Sequence, residues 1–439
     1  MPSWWGVFLL LGCGVLAGCK TLEAGRGAPP TAEQVFARDL DEVRRKVEEA
    51  RGVKFLRMPE VERIPPERRC CVVDSISQSA WVARQAQDTS DRMDRLLVAG
   101  GLLKPGISAN LQRVRLDCMA TRAMYLMASR KILVFVDSVP GSERDALAHE
   151  LVHALQGERV DLVARVAQRR EPDEVLGLLG ALEGEAEFVS TRALGMRSPQ
   201  CESEPPGAMS VLHAAVRSIA MFQSLPPSVI LPAYAPYVYG QNLACVLQKR
   251  YGLAGLDTLL ARPPRGSWQL WHVDAYLADR APVDWDTAWE GFGRLPAGWS
   301  PLGQLRAGEA RLAGLPLTWV RKRADEVLSG SGLGWAGDRL WVFTHPRWGD
   351  GLVWRLAFVD RDKAERFAAM WWSVRRVRSG ANLPVWSSRK GLVVWSDRKK
   401  RVSQMRLVGN EVVLVEGFDA GDAQRIMERA LARETRGLE

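Results

Sequence analysis

Histidine is scarce in this chain, with five in 439 residues: His149, His153, His213, His272 and His345. Chemistry that needs several separate imidazole clusters is thereby excluded, and any pair at ligand spacing stands out. Cysteine is also sparse. None of the seven has the spacing of a cysteine zinc site, and they do not build the disulfide framework of a small secreted domain. Beyond the first residues no apolar run is long enough to cross a bilayer. There is no phosphate-binding loop, no nucleic-acid motif, no internal repeat and no long low-complexity segment. Nucleic acid is not expected as a partner, and the net charge of +9 serves solubility first.

Two of the five histidines lie in Ala146-Leu147-Ala148-His149-Glu150-Leu151-Val152-His153-Ala154-Leu155-Gln156. At i and i+4 on a helix they project from one face and can share a metal ion. Glu150 points near the same face, where it can hold a water without being a ligand. Leu147, Leu151, Val152 and Leu155 cover the other faces of a buried helix. Ser142 with Asp145 predicts the N-terminal cap, and Gly157 predicts the stop.

A third ligand is required. Asp173 to Leu194 reads as a helix whose stripe of Leu178, Leu179, Leu182, Ala186 and Val189 borders Glu183 and Glu187. These two carboxylates are four apart, so one can bind the metal and the other can accept a hydrogen bond from a ligand histidine. A solvated acidic face is the competing reading. Gly184 within the stripe is poor helix design unless something else requires it.

The pair of segments, H-E-L-V-H and the L-E-G-E-A that begins at Leu182, resembles the gluzincin branch of zinc metallopeptidases. That resemblance implies a zincin-like fold, a zinc ion, and Glu183 as the third ligand, with Glu187 behind it. Bacterial lipoproteins and secreted proteins with similar text carry a later P-Y-x-x-G and a Pro-Pro segment with a histidine. Their counterparts here are Pro236-Tyr237-Val238-Tyr239-Gly240 and Pro263 to Tyr276 with His272. The likeness spans roughly residues 35 to 280. Tyr237 and His272 are the expected hydrogen-bond donors to a tetrahedral oxyanion. A helix-start packing residue and a loop histidine bonded to backbone are the competing readings. His213, amid apolar neighbours, is read as structural.

The chain begins with an apolar run, Trp4 to Val15, that ends in Leu16-Ala17-Gly18-Cys19. This is a lipobox, so residues 1–19 are expected to be a lipoprotein signal peptide, Cys19 the lipidated residue, and 20–30 a tether. The n-region lacks Lys and Arg, a departure from the usual pattern. Lys20 after the cysteine favours the outer membrane of a bacterium. Without Cys13 and Cys19, five cysteines remain (Cys70, Cys71, Cys118, Cys201, Cys245), enough for one or two bridges of unassigned pairing.

Thr31 is expected to cap a helix that ends at Gly52, with Phe36, Leu40, Val43 and Val47 buried. A strand is expected at Val53–Arg57, mostly helix over 75–130, and a strand at Lys131–Val136 that either borders the cleft or lies inside the sheet. Pro226, Pro227, Pro232 and Pro236 are expected to break the chain before a helix through Leu243 and Leu247.

From Pro301 tryptophan and arginine become frequent, and alternation marks strands at Arg339–Phe343, Leu352–Phe358, Gly391–Trp395, Val402–Leu407 and Glu411–Val415. Gly409-Asn410 reads as a hairpin turn. Helices at Asp362–Trp372 and Ala420–Ala432 are expected on one face of that sheet. The basic clusters Arg375, Arg376, Arg378 and Arg398, Lys399, Lys400, Arg401 read as solubility or as contact with an anionic envelope surface.

The expected class is α+β: a mainly helical zincin-like domain with a small sheet over 31–300, then a separate α+β domain over 301–439. The expected function is a membrane-anchored zinc peptidase with Glu150 as general base, acting on a peptide or protein substrate. A non-catalytic envelope lipoprotein with a structural or vestigial zinc site, working through partner binding, is the alternative.

Overall fold

The computed structural model describes residues 32–78, 91–109, 112, 118, 121–135, 143–169, 171–196, 201, 207, 210–212, 226–285, 289–320, 333–379, 385–389, 391–396, 401–432 and 435–436. The expected signal peptide and tether, the lipidation site Cys19, the cap residues Thr31 and Ser142, His213 and the basic run Arg398–Lys400 lie outside the described residues. No described helix is long and apolar enough to cross a membrane.

Helix α1 (Ala32–Arg51) buries Val43 and Val47 and stops at Gly52, whose φ of +74° a side chain rarely adopts. The strand expected at 53–57 does not form. The Leu56 and Arg57 amides each donate to the Glu158 carboxylate at 2.9 Å, so they have no ladder to join. Pairing begins instead at β1 (Glu60–Ile64), followed by α2 (Arg69–Gln78). Strands β2 (Ala123–Leu126) and β3 (Lys131–Phe135) complete a small sheet of order β1-β3-β2. β1 runs parallel and β2 antiparallel to β3. Ile132, Val134 and Phe135 are fully buried in β3, as a central strand requires. The edges are therefore β1 and β2.

Helix α3 (Arg144–Arg159) carries both site histidines. It has no side-chain cap at Glu143 and continues through Gly157, correcting the expected stop. Gly157 answers a packing need, because a Cβ there would lie 3.1 Å from the Tyr125 hydroxyl. Next come α4 (Leu162–Ala167), α5 (Pro172–Ala193), α6 (Pro227–Tyr251), α7 (Leu253–Ala261), α8 (Ser267–Trp271) and α9 (Val273–Leu277). The hub is α5, which packs against α1, α3, α6, α7 and α8 and is buried on nearly every side. Pro172 opens it with a preset φ, and Glu174 turns back to accept the Glu171 amide.

Gly184 has its reason in the crossing of α5 and α6. A Cβ on Gly184 would collide with the main chain of Gly240, and one on Gly240 with the carbonyl of Gly180. The two backbones thus meet with no side chain between them, which keeps α6 close enough to overhang α3. Helix α6 also starts earlier than expected and holds Pro232 and Pro236 within it. Two disulfides, Cys70–Cys118 and Cys201–Cys245, are formed, and Cys71 is free and exposed.

After β4 (Asp284–Trp285) comes a seven-stranded sheet of order β5-β6-β7-β11-β10-β9-β8. Its strands are β5 (Ser300–Leu305), β6 (Trp335–His345), β7 (Gly349–Phe358), β8 (Val385–Arg389), β9 (Leu392–Ser396), β10 (Val402–Val408) and β11 (Glu411–Phe418). Every neighbouring pair is antiparallel. All five expected strands are present, and Gly409-Asn410 forms the turn between β10 and β11. Helices α10 (Gly308–Trp319), α11 (Arg361–Ser379) and α12 (Ala420–Leu431) accompany the sheet.

The expectation that α11 and α12 share a face is wrong. Leu352, Trp354 and Leu356 of β7 and Val412 and Leu414 of β11 pack with Phe367 and Trp371 of α11. Val353, Ala357, Val413 and Val415 point the other way, to Ile426 and Met427 of α12. Both faces of these strands are apolar, so each face takes its own helix. The α11 face belongs to the same continuous core as Leu147, Leu151 and Ala186 around the histidines. Independence beginning at residue 301 does not describe this core. Charges join the halves as well: Glu171, at the start of α5, accepts from Arg339 of β6 at 2.5 Å and from the Arg306 amide at 2.9 Å. Asp284 accepts from Arg339 at 2.7 Å and from Arg306 at 2.6 Å.

Candidate metal centre

Helices α3 and α5 bring three side chains to one point. His149 Nε2 lies 3.1 Å from Glu183 Oε2, His153 Nε2 lies 3.3 Å from the same oxygen, and the two Nε2 atoms are 3.0 Å apart. A tetrahedral zinc site with bonds of about 2.0–2.2 Å has ligand-to-ligand edges of about 3.3–3.6 Å. The observed spacings lie at or just below the short end of that range. Among the described residues this is the one group of three His, Cys, Asp or Glu side chains able to share an ion.

The far side of each imidazole says which nitrogen carries the proton. His149 Nδ1 lies 3.2 Å from Glu187 Oε1, and His153 Nδ1 lies 2.8 Å from Gln156 Oε1. Both partners are acceptors, so in the neutral rings both Nδ1 atoms donate and both Nε2 atoms present lone pairs to the centre. Two lone pairs and a carboxylate oxygen then face one another, an arrangement that only a positive charge relieves. Electrostatics agree. Burial opposes a charge on His149, yet Glu183 and Glu187 outweigh it and raise its pKa well above the ordinary imidazole value. Burial likewise opposes charging of His153, and Glu183 again prevails. For Glu183 burial favours the neutral acid, but the two histidines hold it far below the usual carboxylate range.

Glu150 sits beside this triangle. Its Oε2 accepts the Tyr125 amide of edge strand β2 at 2.7 Å, and its charge is felt at both histidines. Tyr237 of α6 lies over His149, ring centres 6.2 Å apart and planes 23° from parallel. His272 goes elsewhere: at the α8–α9 junction its Nε2 is 2.9 Å from Glu309 Oε2, a fully buried carboxylate in the first turn of α10. None of its described contacts is with His149, His153 or Glu183.

One family matches. The sequence model described as "Domain of unknown function (DUF8575)" covers residues 313–427. No curated protein and no solved structure matches the chain. The matched stretch runs from within α10 to within α12, in the sheet half, and does not reach α3 or α5. Two basic residues in it are spent internally: Arg375 pairs with Glu416 at 3.2 Å, and Arg378 donates to the Val98 carbonyl at 2.9 Å.

Sequence reasoning missed the support behind His153. Gln156, 1 % exposed, donates through Nε2 to the Leu182 carbonyl and to Glu185 Oε2, both at 2.9 Å. Glu185 in turn accepts from Arg51 Nε at 2.5 Å. Burial pushes the Glu185 carboxyl up against the pull of Arg51. The available signal was Gln156 three residues after His153, a spacing at which helical side chains meet.

Proposed function

We propose that this chain is an exported, membrane-anchored zinc peptidase that hydrolyses peptide bonds. The observation that carries the reading is the convergence of His149 Nε2, His153 Nε2 and Glu183 Oε2 with both Nδ1 atoms already committed. Two imidazoles and one carboxylate, with no fourth protein donor among the described residues, are the donor set of a catalytic zinc site rather than a closed structural one. Zinc held there supplies Lewis acidity toward a carbonyl oxygen and brings the pKa of a water to about 7.

The chain's own residues do the rest. Glu150 takes the proton of the attacking water and delivers it to the leaving amine. The Tyr125 amide holds the Glu150 carboxylate toward the site. Tyr237, overlying His149, is the residue we assign as donor to the oxyanion. The commitment of His272 to Glu309 leaves that role to Tyr237. Two disulfides among the described residues support an oxidising compartment, in line with a lipid anchor at Cys19. The anionic-surface contact has narrower support, since Arg375 and Arg378 face inward.

The test is digestion of a broad peptide library by the purified chain, with zinc measured in the same sample. Chelation should abolish cleavage and zinc should restore it. Glu150→Gln should keep its zinc and lose about 10²–10⁴-fold in rate. A wild-type chain that holds zinc and cleaves nothing would select the non-catalytic reading, in which the sheet half binds a partner.

A further inference from the structure

Behind His153 lies a buried relay that crosses three helices. Gln156 on α3 has both amide hydrogens committed, to the Leu182 carbonyl and to Glu185 Oε2, each at 2.9 Å. An amide so held cannot flip, because a flip would aim its oxygen at two acceptors and its hydrogens at the ring. Oε1 must therefore face His153 Nδ1, at 2.8 Å. The lock holds because Glu185, fully buried, is itself gripped from its other side: its Oε1 accepts from Nε of Arg51, the last residue of α1, 2 % exposed and 2.5 Å away. Arg51 is itself placed by Asp257, which accepts its Nη2 at 2.6 Å and Arg159 Nη2 at 2.5 Å. Gly52 ends α1 at this point, with Leu253 filling the space a Cβ would need.

We propose that Arg51 is a positioning residue of the metal centre: acting through Glu185 and Gln156, it fixes His153 as the Nδ1–H tautomer and turns its Nε2 lone pair to the ion. The proposal rests on the reading of the triad as a metal site. It assigns the two histidines different support. His149 leans directly on a carboxylate, Glu187, whereas His153 leans on a neutral amide whose direction is set by an ion pair one step further out. Outer partners of this kind are worth roughly 10–100-fold in metal affinity.

The experiment compares wild type, Arg51→Lys, Arg51→Met, the charge-neutral double variant Arg51→Met/Glu185→Gln, and Gln156→Leu in the full chain. Three quantities are read: zinc affinity by chelator competition, the His153 tautomer in the metal-free protein by nitrogen-15 NMR, and melting temperature. Arg51→Met and Gln156→Leu should weaken zinc about 10–100-fold and leave His153 a mixture of tautomers, while Arg51→Lys restores both. The double variant leaves no buried charge unpaired and so guards against misfolding of Arg51→Met. The carboxamide it introduces in place of the Glu185 carboxylate can turn a donor toward Gln156, so zinc affinity and tautomer should still be lost. A folded double variant with wild-type affinity and pure Nδ1–H tautomer overturns the proposal, as does a falling melting temperature with unchanged zinc binding. A wild-type chain that binds no zinc overturns the metal reading instead, and the His153 tautomer still reports on the relay.

Discussion

The two halves of the molecule bury charge in opposite ways. In the sheet half Asp338 is fully buried, and its two oxygens accept from the Ala307 and Gly308 amides and the Trp335 and Trp354 indoles, all within 2.9–3.1 Å. Every lone pair there meets a donor, and nothing is left for a ligand to do. Around α3 and α5 the outer atoms are just as well satisfied, but the inner ones, two Nε2 and one Oε2, are acceptors facing acceptors whenever both rings are neutral. Burial and polarity are therefore poor guides to function on their own. The distinguishing mark is convergence of like hydrogen-bonding character on one point, which folding alone gives no reason to build.

Several substitutions can break or sharpen that contrast. Glu183→Ala should produce the largest separation: zinc affinity falls by about 100-fold or more, with a smaller change in the melting temperature of the chelated chain than in the next variant. Asp338→Leu should do the reverse, since it strands two buried amides and two indoles. It should cost about 3 kcal/mol or more in denaturant unfolding, while the zinc affinity of the folded protein stays within about twofold (less than 0.5 kcal/mol). Equal loss of zinc by both would erase the distinction between the halves.

Asp173, in the first turn of α5 and bonded to Ser267 at 2.6 Å, tests the junction. Burial pushes its carboxyl up to about 6, against Ser267 and Arg306. The folded chain thus keeps a proton that the unfolded chain releases near 4. Its contribution to stability is complete below about pH 4 and is lost as pH rises to about 6, worth at most about 3 kcal/mol. Subtracting the Asp173→Asn curve of stability against pH from that of wild type should isolate this slope. A flat difference over that window would remove Asp173 as its source. The smallest effect belongs to the surface. Arg361 and Glu365, both more than half exposed and 2.8 Å apart, should give less than about 0.5 kcal/mol on Arg361→Ala by thermal unfolding.

How much of the fold is legible in the sequence depends on the range of the interaction. The His149–His153 pair and the Glu183–Glu187 pair each lie within one helical turn, so local periodicity was enough to place them. Strands β7 and β11 are legible as short runs of β-branched, aromatic and other apolar residues, long enough for a strand even though both faces are apolar. The assignment of α11 and α12 to opposite faces was not legible, because it depends on which surface each helix meets, not on its own stripe. Pro232 and Pro236 read as breaks, yet packing on α5 holds α6 helical through them. The Arg51–Glu185 contact spans 134 residues, and no local pattern announces it. Gly184 lies between these cases: it was visible as an anomaly, but its partner Gly240 was not.

That contact of bare main chain has a mechanical consequence. Tyr237 lies three residues before Gly240, about 4.5 Å along the helix axis, so the phenol rides close to a fulcrum whose height is set by the radii of peptide atoms alone. A side-chain interface can absorb a small displacement by rotamer changes, but a glycine seam has none to offer. Any tilt of α6 is handed almost undiminished to the ring above His149, which makes the seam the gauge that sets how far Tyr237 stands from that imidazole.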